Sequence, residues 1–327
     1  MPELDLTMPR LRLADVRQGA SVVVTSPAVF RIAGAGALTC LQGLLTNDLV
    51  KPGDASLVYG ALLTPKGMIV VDAWVLRQGE VLTLVVPRDG REGTLELFRR
   101  ALPPRLAQVT DLTDETRVAW LIGRHAFQTL AKSGIRAPDG AGRVAPANGD
   151  PTPAVALAPE TAPFVALLTG PADAIASAAA RLEAAGARVG TETDLHALRI
   201  LAGWPALGIE IDERTLPQEV RYDEIGGVSY TKGCYTGQET VARVHFRGHT
   251  NRELRGVYWD GAGALEGRAV TAGGREVGTV RSTLTLEDRA LGLAVLRREV
   301  EPGDEVVAGG RRALVVGLPF AGQEGES

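Results

Sequence analysis

The sequence predicts an α+β protein that ends in a small all-β unit. Two observations carry this reading. From about residue 20 to residue 205, short β-rich runs alternate with amphipathic helical runs; beyond about residue 250 the helical periodicity disappears and Gly and Pro turns punctuate five β-like segments. The composition agrees, because 45% hydrophobic and 23% charged residues over 327 positions suit a globular chain of two or three domains.

Ser21–Thr25 and Ala28–Ile32 are apolar, partly β-branched runs and read as strands. Gly34-Ala35-Gly36 then leads into a helical run through Leu38, Leu41, Leu44 and Leu45, which stops at Thr46-Asn47-Asp48. Three β-rich runs follow, Ser56–Leu63, Met68–Arg77 and Val81–Val86. The turn sequences Thr64-Pro65-Lys66-Gly67 and Arg77-Gln78-Gly79-Glu80 between them predict an antiparallel meander. A helix at Glu92–Ala101, a strand at Val118–Ile122 and a helix near His125–Lys132 complete the first half.

Residues 137–153 are dominated by Pro, Gly and Ala, too poor in large side chains to pack a core, and are expected to be a loop joining two α+β subdomains. Phe164–Thr169 reads as a strand, and Pro171–Ala185 as a helix with Pro in its first turn and Gly186 just past its end. Thr193–Ala202 places Leu195, Leu198 and Leu201 on one face of a buried amphipathic helix that runs into Gly203-Trp204-Pro205. After Asn251 the runs Glu253–Trp259, Arg268–Thr271, Glu276–Arg281, Ala290–Leu296 and Arg311–Val316 predict a barrel or sandwich. The expected division is therefore residues 1–250 and residues 251–327.

Charge and cysteine usage exclude several function classes. With 35 basic against 39 acidic side chains, the net charge of −4 provides no bulk positive field, and strong direct nucleic-acid binding is not expected. No apolar run approaches the ~18–20 residues of a membrane span. The opening residues lack the basic-then-apolar order of a signal peptide, so a cytoplasmic protein without a membrane partner is expected. Two cysteines, Cys40 and Cys234, cannot build a disulfide framework or a four-thiolate metal site.

The segment Ser229–Gly248 carries the most unusual chemistry. Cys234 sits between Gly233 and Gly237 with Lys232 two residues upstream; glycines permit close approach to a ligand, and an ammonium and a helix N-terminus favour thiolate. The competing reading makes Cys234 a small buried hydrophobe in a tight turn. Asp72 lies inside an apolar run, where it either accepts a hydrogen bond from a ligand amine or faces solvent on a half-exposed strand. Arg199 and Glu219 pose the same choice. His245 and His249 with Cys234 form C-x10-H-x3-H, but Phe246-Arg247-Gly248 is a poor helix and no metal is expected. Arg243, Arg247, Arg252 and Arg255 read as a solvated face or a patch for the acidic tail of a ligand.

Lys232-Gly233-Cys234-Tyr235-Thr236-Gly237-Gln238-Glu239 resembles the K-G-C-[FY]-x-G-Q-E signature of the YgfZ family of folate-binding proteins. Gln42-Gly43-Leu44-Leu45-Thr46-Asn47-Asp48 is similar to that family's first helix end, and Leu63-Thr64-Pro65-Lys66-Gly67 to its hairpin. Through this family the resemblance reaches the glycine-cleavage T-protein, the aminomethyltransferase GcvT, and the tetrahydrofolate-dependent demethylases. It implies a GcvT-like folate-binding core of mixed sheets and helices with a C-terminal antiparallel β-barrel. By position, Tyr59 falls where the T-protein has a folate-contacting tyrosine, and Asp72 where it has the carboxylate beside the reacting folate nitrogen, a placement that suits one-carbon chemistry. Arg199-Ile200-Leu201-Ala202-Gly203 is similar to R-L-E-A-G and Gly208-Ile209-Glu210 to G-x-E; Arg199 and the adjoining Trp204 are counted among the folate contacts. Leu201 departs from the pattern, since it replaces the glutamate that grips the pterin and cannot accept its hydrogen bonds. Glu219 is the expected substitute. The cysteine is itself a departure from the T-protein's D-F-I-G-[RK]-E.

The resemblance thus implies a tetrahydrofolate-binding factor that supports synthesis or repair of iron–sulfur enzymes and indirectly affects tRNA modification. Cys234 would be the essential thiol, an Asp72-lined cavity would hold folate, and the partners would be iron–sulfur client or assembly proteins. Two alternatives stand: a folate-dependent aminomethyltransferase or demethylase that uses Asp72 without thiol chemistry, and a non-catalytic folate-binding adaptor that docks through the 232–239 loop.

Overall fold

The computed structural model describes residues 3–146, 153–261 and 268–320. It opens with β1 (Leu4–Thr7) and α1 (Arg10–Gln18), two elements that the polar N-terminal sequence does not announce. β2 (Ser21–Thr25) and β3 (Ala28–Ala33) follow as expected, and then α2 (Ala37–Gln42). That helix ends three residues earlier than the leucine spacing suggests, leaving Leu44 and Leu45 in the turn behind it.

β4 (Ser56–Leu63), β5 (Ile69–Gln78) and β6 (Val81–Val86) form the expected antiparallel meander. α3 (Arg91–Ala101) and β7 (Gln108–Asp111) complete a five-stranded sheet in the order β4-β5-β6-β3-β7. The strand runs are continuously apolar because both faces are covered. Val58 and Leu62 point to a core shared with α2 and α3, whereas Leu57, Tyr59, Ala61 and Leu63 point the other way, into the centre of the molecule.

A second sheet takes β2, β8 (Thr116–Ile122), β9 (Val144–Pro146), β10 (Ala154–Leu157), β11 (Ala166–Pro171) and β12 (Arg188–Val189), in the order β12-β2-β8-β11-β10-β9. Its outer face is covered by α4 (Ala126–Lys132) and α5 (Ala172–Ala184). The Pro/Gly/Ala-rich stretch is only partly a loop: residues 144–146 pair antiparallel with β10, and residues 147–152 lie outside the described residues.

α6 (Glu192–Ala202) lies where the parts meet. The sequence suggests one buried face, but two are buried: Leu195 and Leu198 pack on the central core, while Ala197, Ile200 and Leu201 pack against the C-terminal strands. α7 (Gln238–Arg247) runs through Phe246 and Arg247, correcting the expectation of a poor helix there. Val241 is buried on its inner face, and the His245 ring stacks on Tyr230 at 3.6 Å between centroids, so tertiary packing overrides weak local propensity.

The C-terminal region is a closed barrel of β13 (Arg252–Asp260), β14 (Ala269–Ala272), β15 (Arg275–Thr285), β16 (Arg289–Arg297), β17 (Glu305–Ala308) and β18 (Arg311–Val316). β15 pairs with both β14 and β16, and β13 with both β16 and β18, which closes an antiparallel ring. A register shift between Val280 and Ser282 lets β15 bend and continue to Thr285, past the Arg281 end that the sequence suggests. β1 adds to the ring in parallel, with Leu4 opposite Ser282. Among the described residues no helix is long and apolar enough to cross a membrane.

Candidate functional site

The centre of the molecule is a cluster of aromatic rings around one carboxylate. Tyr59 on β4 lies opposite Trp74 on β5, and Asp72, two residues before Trp74, shares its face of the sheet. The Tyr59 ring centroid is 4.8 Å from Trp74, 4.7 Å from Trp204 and 5.4 Å from Tyr222, and Trp74 stacks on Trp204 at 5.7 Å and 13°. The Tyr59 hydroxyl donates to Asp72 Oδ2 at 3.2 Å. Asp72 Oδ1 is buried and has no hydrogen-bond partner among the described residues. Burial pushes the Asp72 carboxyl up to about 6, opposed by its own backbone N–H, the Tyr59 hydroxyl and the positive charge of Arg199.

Trp204 reaches this cluster because α6 stops at Gly203, whose φ of 63° is left-handed. The Trp204 N–H returns to the Arg199 carbonyl at 2.9 Å, closing the helix end and turning the indole inward. Arg199 holds the same segment from below. Its guanidinium donates to the Trp204 carbonyl at 2.7 Å, to Glu210 Oε2 at 2.8 Å and to the Ser282 hydroxyl of β15 at 2.8 Å. Ser282 in turn donates to Glu210 Oε1, so the ion pair ties α6, the 204–210 turn and the barrel together. Leu201 faces the barrel, not the ring cluster.

Glu219 lies apart from the rings. It accepts from the Leu216 N–H at 3.0 Å and from Arg252 Nε at 2.9 Å, so it caps the turn at Pro217–Val220 and anchors it to β13.

The three segments that carry the family resemblance converge beside this cluster. The Lys232 ammonium donates to the carbonyls of Gln42, Leu45 and Asn47 at 2.6, 2.7 and 2.8 Å, and the Thr236 N–H donates to the Gly43 carbonyl at 3.0 Å. Burial pulls Lys232 down to about 8, so it keeps its proton at neutral pH; it also lies 5.1 Å from the Tyr235 ring centroid. Lys232 is thus a strut that fixes the loop, its hydrogen bonds spent on the end of α2. Gly237 has φ 83° and starts α7; a Cβ there would come within 2.7 Å of the Thr64 carbonyl, which is why the Thr64–Gly67 turn requires glycine opposite it. Between these anchors, Gly233 and Cys234 are exposed while Tyr235 is buried. Gln238 opens α7 and Glu239 is exposed in its first turn. Asn47 links loop and cluster, donating to the carbonyls of Tyr59 at 2.8 Å and Gly226 at 2.7 Å.

His245 Nδ1 lies 3.1 Å from Asp223 Oδ2, and the described residues contain no group of three or more His, Cys, Asp or Glu side chains arranged to hold a metal. Two site residues escaped sequence reasoning. Tyr222 places its hydroxyl 3.1 Å from that of Tyr59. Phe164 packs edge-on to Trp74 at 4.9 Å and forms the inner wall of an apolar cleft of about 510 Å³, lined also by Phe127, Leu157, Leu198 and Ala202. Asp72 does not line this cleft; ring contacts through Phe164 and Trp74 lead from it to Tyr59.

Residues 13–137 match the family model of the GCVT N-terminal domain. An aminomethyltransferase of Rubrobacter xylanophilus is 33% identical over 303 residues, covering 88% of this chain and 79% of the relative. A tRNA-modifying protein YgfZ of Colwellia psychrerythraea is 28% identical over 215 residues, 65% of this chain; the match spans 64% of that relative, just under two thirds of its length. The solved structure of glycine cleavage system aminomethyltransferase T from Bartonella henselae shares the fold, with a TM-score of 0.80 at 20% identity over 96% of this chain and 91% of its own. The expected mixed core with a C-terminal antiparallel barrel is therefore the observed architecture, and the chain belongs to the family that unites YgfZ proteins with GcvT-like aminomethyltransferases.

Proposed function

We propose that this protein is a tetrahydrofolate-binding factor of the YgfZ type, cytoplasmic, which supports the synthesis or repair of iron–sulfur enzymes and through them affects tRNA modification. The observation that carries the folate reading is the open oxygen of Asp72. A buried acceptor without a donor costs about 1–3 kcal/mol, and such groups persist where a ligand completes them. A reduced pterin has the matching chemistry: it bears a ring N–H for Asp72 Oδ1 and an apolar ring face to lie among the aromatic rings, which must part to admit it because Tyr59, Trp74 and Trp204 pack on one another at 4.8, 4.7 and 5.7 Å. With a carboxyl at about 6, Asp72 is ionised at neutral pH and accepts. Tetrahydrofolate, when bound, supplies a nitrogen that carries one-carbon units; the chain's own residues orient it and keep water away. Arg199 fixes the Trp204 segment. Glu219, already bonded to Arg252 and the Leu216 N–H, serves this reading by holding the turn that leads to Tyr222.

The iron–sulfur reading rests on Cys234, exposed on a loop held rigid at Lys232 and Thr236 and bearing the family signature. Its partners in this reading are iron–sulfur client or assembly proteins. A second reading, folate-dependent aminomethyl transfer, is favoured by the 33% identical aminomethyltransferase relative and needs Asp72 but not Cys234.

Calorimetric titration with tetrahydrofolate tests the first part: the wild type binds saturably and Asp72→Asn binds about tenfold more weakly or worse. Cys234→Ser tests the second. It should bind tetrahydrofolate normally yet fail to restore activity of an iron–sulfur enzyme in cells lacking the protein. Full restoration by Cys234→Ser, with one-carbon transfer from a lipoyl carrier, would instead support the aminomethyltransferase reading; restoration without such transfer would leave an adaptor.

A further inference from the structure

We propose that Tyr222 is a positioning residue for Asp72, acting through the Tyr59 hydroxyl, and that together they leave Asp72 a single open acceptor, which fits a ligand presenting one N–H rather than a forked donor. This deepens the folate reading and rests on it for the ligand's identity.

Three oxygens lie in series, Tyr222 Oη 3.1 Å from Tyr59 Oη and Tyr59 Oη 3.2 Å from Asp72 Oδ2. Only two hydroxyl protons serve them. A carboxylate is the stronger acceptor, so the Tyr59 proton goes to Asp72, and the Tyr222 hydroxyl donates to the Tyr59 oxygen. Tyr222 is fully buried, and among the described residues its hydroxyl has no other partner. Donation to Tyr59 polarises that hydroxyl and strengthens its hold on Asp72 Oδ2, while Oδ1 stays open. The titratable or charged groups bearing on Asp72 are Tyr59 on β4, Tyr222 on the turn after Pro217–Val220, and Arg199 on α6.

The backbone is built to hold this ring. Arg221, directly before it, has a left-handed φ of 67°, uncommon for a side-chain-bearing residue and sustained by its surroundings. Its guanidinium donates to the carbonyls of Ala202, Gly203 and Leu318 and pairs with Glu224. On the other side Gly227 presses against the ring: a Cβ there would lie 2.5 Å from Tyr222 Cδ1, and Thr46 pins the Gly227 carbonyl at 2.6 Å. Gly227 has no left-handed φ, so alanine would act there by displacing the ring alone.

Two variants therefore disturb one function by different routes. Tyr222→Phe removes the outer hydroxyl and keeps the ring; Gly227→Ala keeps the hydroxyl and moves it. The readout is the pH titration of tryptophan emission without ligand, with Asp72→Asn as the blank, followed by tetrahydrofolate affinity at pH 7. The wild type should titrate near 6. Both variants should move that midpoint up by about half a unit or more and weaken tetrahydrofolate about threefold or more. An unmoved midpoint in both, with the blank silent, would overturn the proposal. A moved midpoint in a protein that binds no tetrahydrofolate would uphold the positioning role and strike the folate reading instead.

Discussion

Arg199→Met is expected to lower folding stability by about 3–5 kcal/mol, read as a fall in the urea midpoint. The reason is what remains behind. Glu210 has no exposed side-chain surface, and its carboxylate would keep only the Ala206 N–H and the Ser282 hydroxyl after losing its cation. An uncompensated buried charge is far more costly than a missing pair, so Arg199→Met with Glu210→Leu should recover much of the loss, a non-additivity that marks the two as one unit. The Trp204 carbonyl also loses its donor, so the same single variant should bind tetrahydrofolate more weakly. Additive effects of the two substitutions would contradict this account.

Asp72→Asn is expected to change how stability depends on pH. In the unfolded chain an aspartate titrates near ~3.9; in the fold Asp72 is raised to about 6. The folded state therefore binds the proton more tightly, and the wild type loses stability as pH rises from about 4 to 6. The loss, about 3 kcal/mol, stays in full above that window. Asparagine has no charge to bury. Its stability relative to wild type should therefore improve by about that amount between pH 4 and pH 7, whatever fixed cost the amide brings, because the pH dependence of every other group cancels in the difference. Parallel stability curves would show that Asp72 is not held in a desolvating site. Under the folate reading proposed above, the ionised carboxylate at neutral pH is a cost the fold carries for its ligand.

Sequence and structure agree where the physics is local. β4, β5 and β6 were legible because continuous apolar runs are broken by turn-forming residues, and two covered faces leave no polar alternation to confuse the pattern. β1 was not, because it is four residues long and its partner strand begins at Arg275, so only the assembled barrel defines it. α7 was misjudged at Phe246 for a similar reason: the Tyr230 ring and the Asp223 carboxylate that steady His245 are tertiary neighbours. In the site, a carboxylate inside the apolar run of β5 was visible as an anomaly, and resemblance gave it a role. Tyr222 had no such signal, since its part depends on an oxygen 163 positions away in sequence. Lys232 was legible as part of the motif but its hydrogen-bond partners were not, because they are backbone carbonyls that any sequence could provide.

Competition between tetrahydrofolate and folic acid tests the central claim most directly. The reduced ring carries N–H groups where the oxidised ring has bare aromatic nitrogens, while the amino and other N–H donors are common to both, so an Asp72 carboxylate that receives a reduced-ring N–H must tell them apart. The wild type should prefer tetrahydrofolate by about tenfold to a hundredfold, the worth of a hydrogen bond to a charged group, and Asp72→Asn should lose most of that preference. Equal binding of the two by the wild type, or an undiminished preference in Asp72→Asn, would contradict the assignment of Asp72 as the group that receives the reduced folate.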